Sequence, residues 1–217
     1  MKFLKFSALG AVLILTTAFA SADTLQLGSY GQNTNGITVT GNANSALQIA
    51  GGSTYNIGDG GVWTAAVGSG SNLSSWVSQD PGNYPGGGNV EANGTYTFTS
   101  TFTLGNSSYA GSIWVLADDT TDVYLNGNLV QDFAGGANST CQTLQPNCIS
   151  PLLVTLPSGD FLTGLNTLTF DVHQTNGSAE GVDFSGSISS VPEPNSLILL
   201  GTGLIGSAGA LMRKMRS

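Results

Sequence analysis

The chain has 217 residues, only 8% of them charged, with five Lys plus Arg against thirteen Asp plus Glu and a formal net charge of −8. All five cations lie at the ends, as Lys2, Lys5, Arg213, Lys214 and Arg216, and all thirteen acids lie between Asp23 and Glu193. Recognition of nucleic acid, anionic lipid or phosphate relies on Lys and Arg, so twelve acids and no base over residues 23–190 argue against those partners and make divalent cations the natural counterions.

Residues 1–22 open with Lys2 and Lys5, continue in an apolar stretch from Ala8 to Ala20, and end in Ala20-Ser21-Ala22 before Asp23. A basic start, a short apolar core and a small-x-small site predict a secretory signal peptide. Residues 23–190 then form the exported domain, a length at which one core buries roughly 70% of the unfolded surface.

This domain is rich in Gly, Ser, Thr and Asn, and its apolar residues alternate over short runs instead of recurring at helical spacing. The pattern predicts strands at Ile37–Thr40, Ala46–Ile49, Thr54–Ile57, Val62–Val67, Thr95–Leu104, Ser112–Ala117, Asp122–Asn126, Leu152–Leu156, Thr167–His173 and Val182–Ile188. It predicts no helix of three turns. Strands at this density with Gly and Asn turns predict an all-β, antiparallel sandwich.

Ile113, Val115 and Ala117 are expected on one face and Trp114 and Leu116 on the other, which makes that strand apolar on both sides and central. Asn126-Gly127 suits a type I′ hairpin turn between Val123-Tyr124-Leu125 and Leu129-Val130. Leu168, Phe170 and Val172 are expected inward, with Thr169, Asp171 and His173 outward; Val182, Phe184 and Ile188 continue the inner face. Two cysteines in an exported chain, Cys141 and Cys148, are expected to form a disulfide.

The order from Trp76 through Gly94-Thr95-Tyr96-Thr97-Phe98-Thr99, Ser112 to Asp119, Asp122 to Val130 and Gly164-Leu165-Asn166 resembles the galactose-binding-like jelly-roll superfamily and its PA14-type relatives. The resemblance implies a jelly-roll sandwich whose buried strand ends in an acidic pair. In PA14-type lectins an adjacent Asp-Asp pair at this point binds calcium, which helps hold sugar hydroxyls, and the resemblance gives Asp118 and Asp119 that role. Asp122 and Asn126 lie close in sequence and complete the expected ligand-binding set. Oxygen ligands without nearby cations suit calcium; the other reading of the same carboxylates is solvated turn residues capping a strand end.

His173 is the single histidine of the chain and is expected outward beside Asp171. With no Lys or Arg in the domain to complete an acid–base or oxyanion arrangement, the protein is read as a non-enzyme. Thr95, Thr97, Thr99, Thr101 and Thr103 alternate along one strand, a pattern met on ice-binding faces and also on ordinary exposed sheet faces.

The chain ends with Val191-Pro192-Glu193-Pro194, an apolar run over 196–212 and the basic residues of 213–217. Those parts resemble the PEP-CTERM sorting signal of Gram-negative bacteria, a tail also found on some ice-binding proteins. The resemblance makes 191–217 the sorting signal, with Pro192, Glu193 and Pro194 as its motif and an exosortase as the partner that removes it during export. The seventeen residues of 196–212 would rise about 25 Å as a helix, the short end of a transmembrane span, so transient insertion in the inner membrane is expected, with a permanent anchor as the alternative. Arg213, Lys214 and Arg216 would stay cytoplasmic and the domain outside.

The expected protein is therefore an exported sandwich of the cell surface or extracellular matrix. It engages exopolysaccharide or another glycan, with calcium as cofactor where Asp118 and Asp119 take the role that the PA14-type resemblance gives them, and with none where they are solvated turn residues. A structural biofilm-matrix protein without a specific ligand is the competing reading, and ice binding a minor one.

Overall fold

The computed structural model describes residues 22–34, 40–68, 74–83, 90–132, 141–142, 144–175 and 177–191, together with 201–203, 205–206, 209 and 212–214. The chain divides into two compact units, Ala22–Pro192 and a second formed by Met1–Ser21 with Glu193–Ser217. The signal peptide, nearly all of the strand expected at Ile37–Thr40, the Pro192-Glu193-Pro194 motif and most of 196–212 lie outside the described residues. The described part of the C-terminal run is helical at 201–203, 205–206, 209 and 212–214. Among the described residues no helix is long and apolar enough to cross a membrane.

Among the described residues the larger unit has twelve strands in two antiparallel sheets. Seven form the first sheet: β1 (Thr24–Gly28), β2 (Ala43–Asn44), β4 (Thr54–Ile57), β5 (Trp76–Ser78), β7 (Ser108–Asp118), β10 (Leu152–Leu156) and β12 (Gly181–Val191). Their order is β10-β7-β12-β5-β4-β2, and β1 pairs with β12 beside β5. The second sheet takes β3 (Leu47–Ile49), β6 (Gly94–Leu104), β8 (Thr120–Leu125), β9 (Asn128–Gln131) and β11 (Gly164–Gln174) in the order β3-β6-β11-β8-β9. The longest pairings, β6 with β11 and β7 with β12, each run over eleven residues.

The period-2 pattern accounts for these long strands. Along β11, Leu168, Phe170 and Val172 are buried while Thr169, Asp171 and His173 between them are not. Together with Phe98, Phe102, Ile113, Val115, Val123, Leu125, Val182, Phe184 and Ile188 they fill the space between the sheets. Burying a side chain of this size contributes about 1.5–3 kcal/mol, so the core holds together a domain with very few charge pairs. At the β8–β9 turn Asn126 and Gly127 have φ of 52° and 83°, the left-handed values that a type I′ turn requires. Gly111 on β7 and Gly186 on β12 face Ile188 and Ile113 of the partner strand. A Cβ on Gly111 would collide with the carbonyl oxygen of Ser187, and one on Gly186 with that of Ser112.

A second apolar cluster lies on the outer side of the first sheet. Ile57, Trp63, Trp76, Leu116, Cys141, Cys148 and Ala179 form it, with the rings of Trp63 and Trp76 stacked at 4.2 Å. This is why β7 is apolar on both faces above Trp114. The Cys141–Cys148 disulfide closes a loop that the backbone fastens down, Ala117 N to Asn147 O at 3.1 Å and Thr64 N to Cys148 O at 2.9 Å. The stretch Val62–Val67, expected as a strand, is part of this cover and not of a sheet. Its alternation reflects Trp63 packing down on the sheet while Val62 points to solvent. Strands β1, β2 and β5 were not expected: two to five residues are too short for a period to stand out, even where Leu25 and Leu27 alternate in β1.

Pairing of the first strand with the last brings the two borders of the domain together. The backbone N–H of Asp23 donates to Ser190 Oγ at 2.7 Å, and Ser190 N donates to Asp23 O at 2.9 Å.

Candidate functional site

The four expected ligand residues occupy three separate places. Asp118 closes β7 and Asp119 links it to β8, and both side chains are buried, at 3% and 2% exposed. The indole N–H of Trp63 donates to Asp118 Oδ2 at 2.5 Å. Burial raises the Asp118 carboxyl to about 8; Trp63 opposes the rise, while Asp119 and Glu180 add to it. Asp119 Oδ2 accepts from Thr175 N at 2.7 Å and from Thr175 Oγ1 at 2.6 Å. The peptide between the two aspartates is cis.

Asp122 sits elsewhere, on the outward face of the second sheet, with its Oδ2 3.0 Å from His173 Nε2. His173 Nδ1 in turn lies 3.2 Å from Thr95 Oγ1, and Asp171 Oδ1 accepts from Thr97 Oγ1 at 2.6 Å. These contacts run across β6, β11 and β8 as cross-strand pairs. Asn126 is at the far end of β8 and has a fastening role. Its Nδ2 donates to Asp160 O and to Asn166 Oδ1, each at 2.8 Å, and its Oδ1 accepts from Thr167 N at 2.8 Å.

Calcium takes six to eight oxygen ligands, several of them ionised carboxylates. Here one oxygen of each aspartate is already engaged by a protein donor, and burial raises the Asp118 carboxyl to about 8, which favours its neutral form. Among the described residues no group of three or more His, Cys, Asp or Glu stands together in a way that could hold a metal ion. The donor set does not fit calcium in this arrangement.

Two further buried acids escape sequence reading. Glu180 precedes β12; its Oε1 accepts from Ser78 Oγ at 2.9 Å and Gln79 N at 3.3 Å, and burial raises its carboxyl to about 8. Asp183 within β12 accepts from Val67 N at 2.7 Å, and burial raises it to about 6 against that bond and those of Ser74 and Ser29. Their signal in sequence was slight: single acids between glycines and apolar residues.

The polar character of the exterior is shared by both sheets. The β6 threonines stand outward, and β11 sets Thr167 opposite Thr101 and Thr169 opposite Thr99. Leu165, Asp171 and His173 take the remaining β11 positions, so the regular threonine array is two strands wide and two deep. A pocket of about 310 Å3 beside β2 is lined by uncharged residues, among them Tyr30, Asn42, Asn44 and Asn56.

Residues 190–214 match the PEP-CTERM protein-sorting motif. No curated protein matches the chain. Fold and motif together define an exported, exosortase-processed protein of the cell surface or beyond, with an all-β sandwich as its larger unit. The motif begins at residue 190, one residue before β12 ends at Val191, so the sorting signal follows the last strand without a spacer.

Proposed function

We propose that the protein is a non-enzymatic component of the cell surface or extracellular matrix whose sandwich, of the galactose-binding-like jelly-roll type, engages exopolysaccharide. One observation carries this reading: a sorting motif joins directly to a domain that has no Lys or Arg and whose exposed strand faces are set with hydroxyls. Such a surface has no attraction for polyanions and matches neutral hydroxylated polymers. Calcium forms no part of the proposal.

Mass spectrometry of protein recovered from the envelope and the medium tests the address. The expected species begins at Asp23 and has lost the apolar run of 196–212; full-length protein held in the inner membrane would refute exosortase processing. Affinity electrophoresis of the processed protein through gels containing the exopolysaccharide of the same cells tests the activity. Retardation is expected. Unchanged mobility would favour the competing reading, a matrix protein without a specific ligand.

A further inference from the structure

Of the three tryptophans, Trp63 and Trp76 are buried against each other, whereas Trp114 is 45% exposed on the outer side of β7. Strand register gives it its surroundings. Leu153 of β10, 46% exposed, is its partner on one side and Ser185 of β12 on the other. The next outward row along the strands reads Thr155, Ser112, Ser187 and Gln26 across β10, β7, β12 and β1. Four strands at about 4.8 Å spacing make a row roughly 14 Å long. No Asp, Glu, Lys, Arg or His occurs in β1, in β10, in β7 from Ser108 to Trp114 or in β12 from Ser185 to Ser189.

A half-exposed aromatic side chain on a sheet face, with one aliphatic neighbour and a border of hydroxyl and amide groups, suits a partner that is apolar in the middle and polar at the rim. A hexopyranose with equatorial linkages is built that way: its axial C–H groups meet the negative face of an indole, and its hydroxyls point sideways to hydrogen-bond donors and acceptors. Charge narrows the choice. Among the described residues the exposed rows around Trp114 carry no charged group, Asp183 on the same side being buried and bonded to Val67 N, and the domain is acidic without any base, so an anionic chain is repelled and a neutral one is not.

We propose that this face binds a neutral polysaccharide of equatorially linked hexopyranoses, with Trp114 stacked on a sugar ring and Thr155, Ser112, Ser187 and Gln26 exchanging hydrogen bonds with its hydroxyls. The inference rests on the glycan-binding reading above and sets the contact on the first sheet, away from Asp118 and Asp119.

Affinity electrophoresis of the processed protein in hydroxyethyl cellulose, with alginate as the anionic control, is the test. The wild type should be retarded by the neutral glucan and not by alginate. Trp114→Ala should weaken binding at least tenfold and Trp114→Tyr by only a few-fold, with Ser187→Glu also weakening it while the ring stays in place. Acrylamide quenching of tryptophan fluorescence, which reads mainly Trp114, should fall when the glucan is added. If the processed protein is retarded by no polysaccharide, its own exopolysaccharide included, the glycan reading itself fails. Retardation that Trp114→Ala and Ser187→Glu leave unchanged moves the site off this face and overturns the inference alone. Loss of self-association in Trp114→Ala, with glucan binding intact, would make the face a contact between copies and overturn it as well.

Discussion

Trp63 and Asp118, 55 residues apart in the chain, meet as indole donor and buried carboxyl acceptor at 2.5 Å. The bond fastens the loop that covers the first sheet to the end of its central strand, and the stack of Trp63 on Trp76 completes the cover.

Replacing Trp63 with Phe keeps much of the stack and removes the donor, leaving the Asp118 carboxyl buried without that partner. A loss of about 1–3 kcal/mol is expected, measured by urea unfolding of the processed protein. Asp118→Leu in the same background should make the Trp63 change cheaper, because the group left unpaired is gone. Equal costs in both backgrounds would show that the hydrogen bond carries no stability.

The buried acids set a pH dependence. Asp118 and Glu180 are raised to about 8, whereas in the unfolded chain they titrate near 4. Folding therefore takes up protons between those values. The stabilising contribution is complete below about pH 4 and is lost as pH rises through about 8, with a slope of at most about 1.4 kcal/mol per pH unit for each group. Unfolding free energy should thus fall between pH 5 and pH 8, and Glu180→Gln should flatten the fall. A wild type equally stable at both pH values would contradict the protonated state of these carboxyls.

Much of the fold was legible because long half-buried strands announce themselves. Thr95–Leu104, Thr167–His173 and Val182–Ile188 each carry a clean alternation, and each lies within an eleven-residue strand. The Asn126-Gly127 turn and the Cys141–Cys148 bridge followed from local chemistry and compartment. Short strands such as Ala43–Asn44 carry no period, and Val62–Val67 mimicked one because a covering loop also alternates between sheet and solvent. The candidate site was less legible. Sequence adjacency grouped Asp118, Asp119 and Asp122, but strand pleating sends Asp122 to the outer face of the other sheet, and only the tertiary fold brings Trp63, Thr175 and Glu180 around the first two.

Calcium provides a direct check on that arrangement. A metal bound at a hundred times its dissociation constant would add about 2.7 kcal/mol to the folded state. With both aspartates occupied by protein donors, thermal unfolding in calcium and in a chelator is expected to give the same midpoint. A rise of several degrees in calcium that Asp119→Asn abolishes would assign a metal to the pair after all.

Asn126 tests a structural role against a ligand role. Its side chain makes three hydrogen bonds to Asp160, Asn166 and Thr167, and its backbone lies at a φ of 52°. Asn126→Ala gives up all three and keeps a strained left-handed residue, so a loss of about 2–4 kcal/mol is expected from urea unfolding. Polysaccharide retardation of the folded fraction should not change; a variant that keeps its stability and loses binding would return Asn126 to the ligand site.

Gly186 of β12 lies against the carbonyl of Ser112 and the Cα of Ile113 on β7, so closely that an added Cβ would collide with both. Neither neighbour is a side chain that could turn away, so Gly186→Ala has to push two central strands apart over a pairing that also carries β1 and β10. Overpacking of a rigid core costs about 1–3 kcal/mol where side chains yield, and backbone that cannot yield places this variant at or beyond the upper end. Circular dichroism melting should show a midpoint at least ten degrees lower, or failure to accumulate at all. Gly159→Ala, which meets nothing within 4 Å, is the control and should melt with the wild type. Comparable melting of the two variants would mean that the β7–β12 contact has room that the backbone geometry denies.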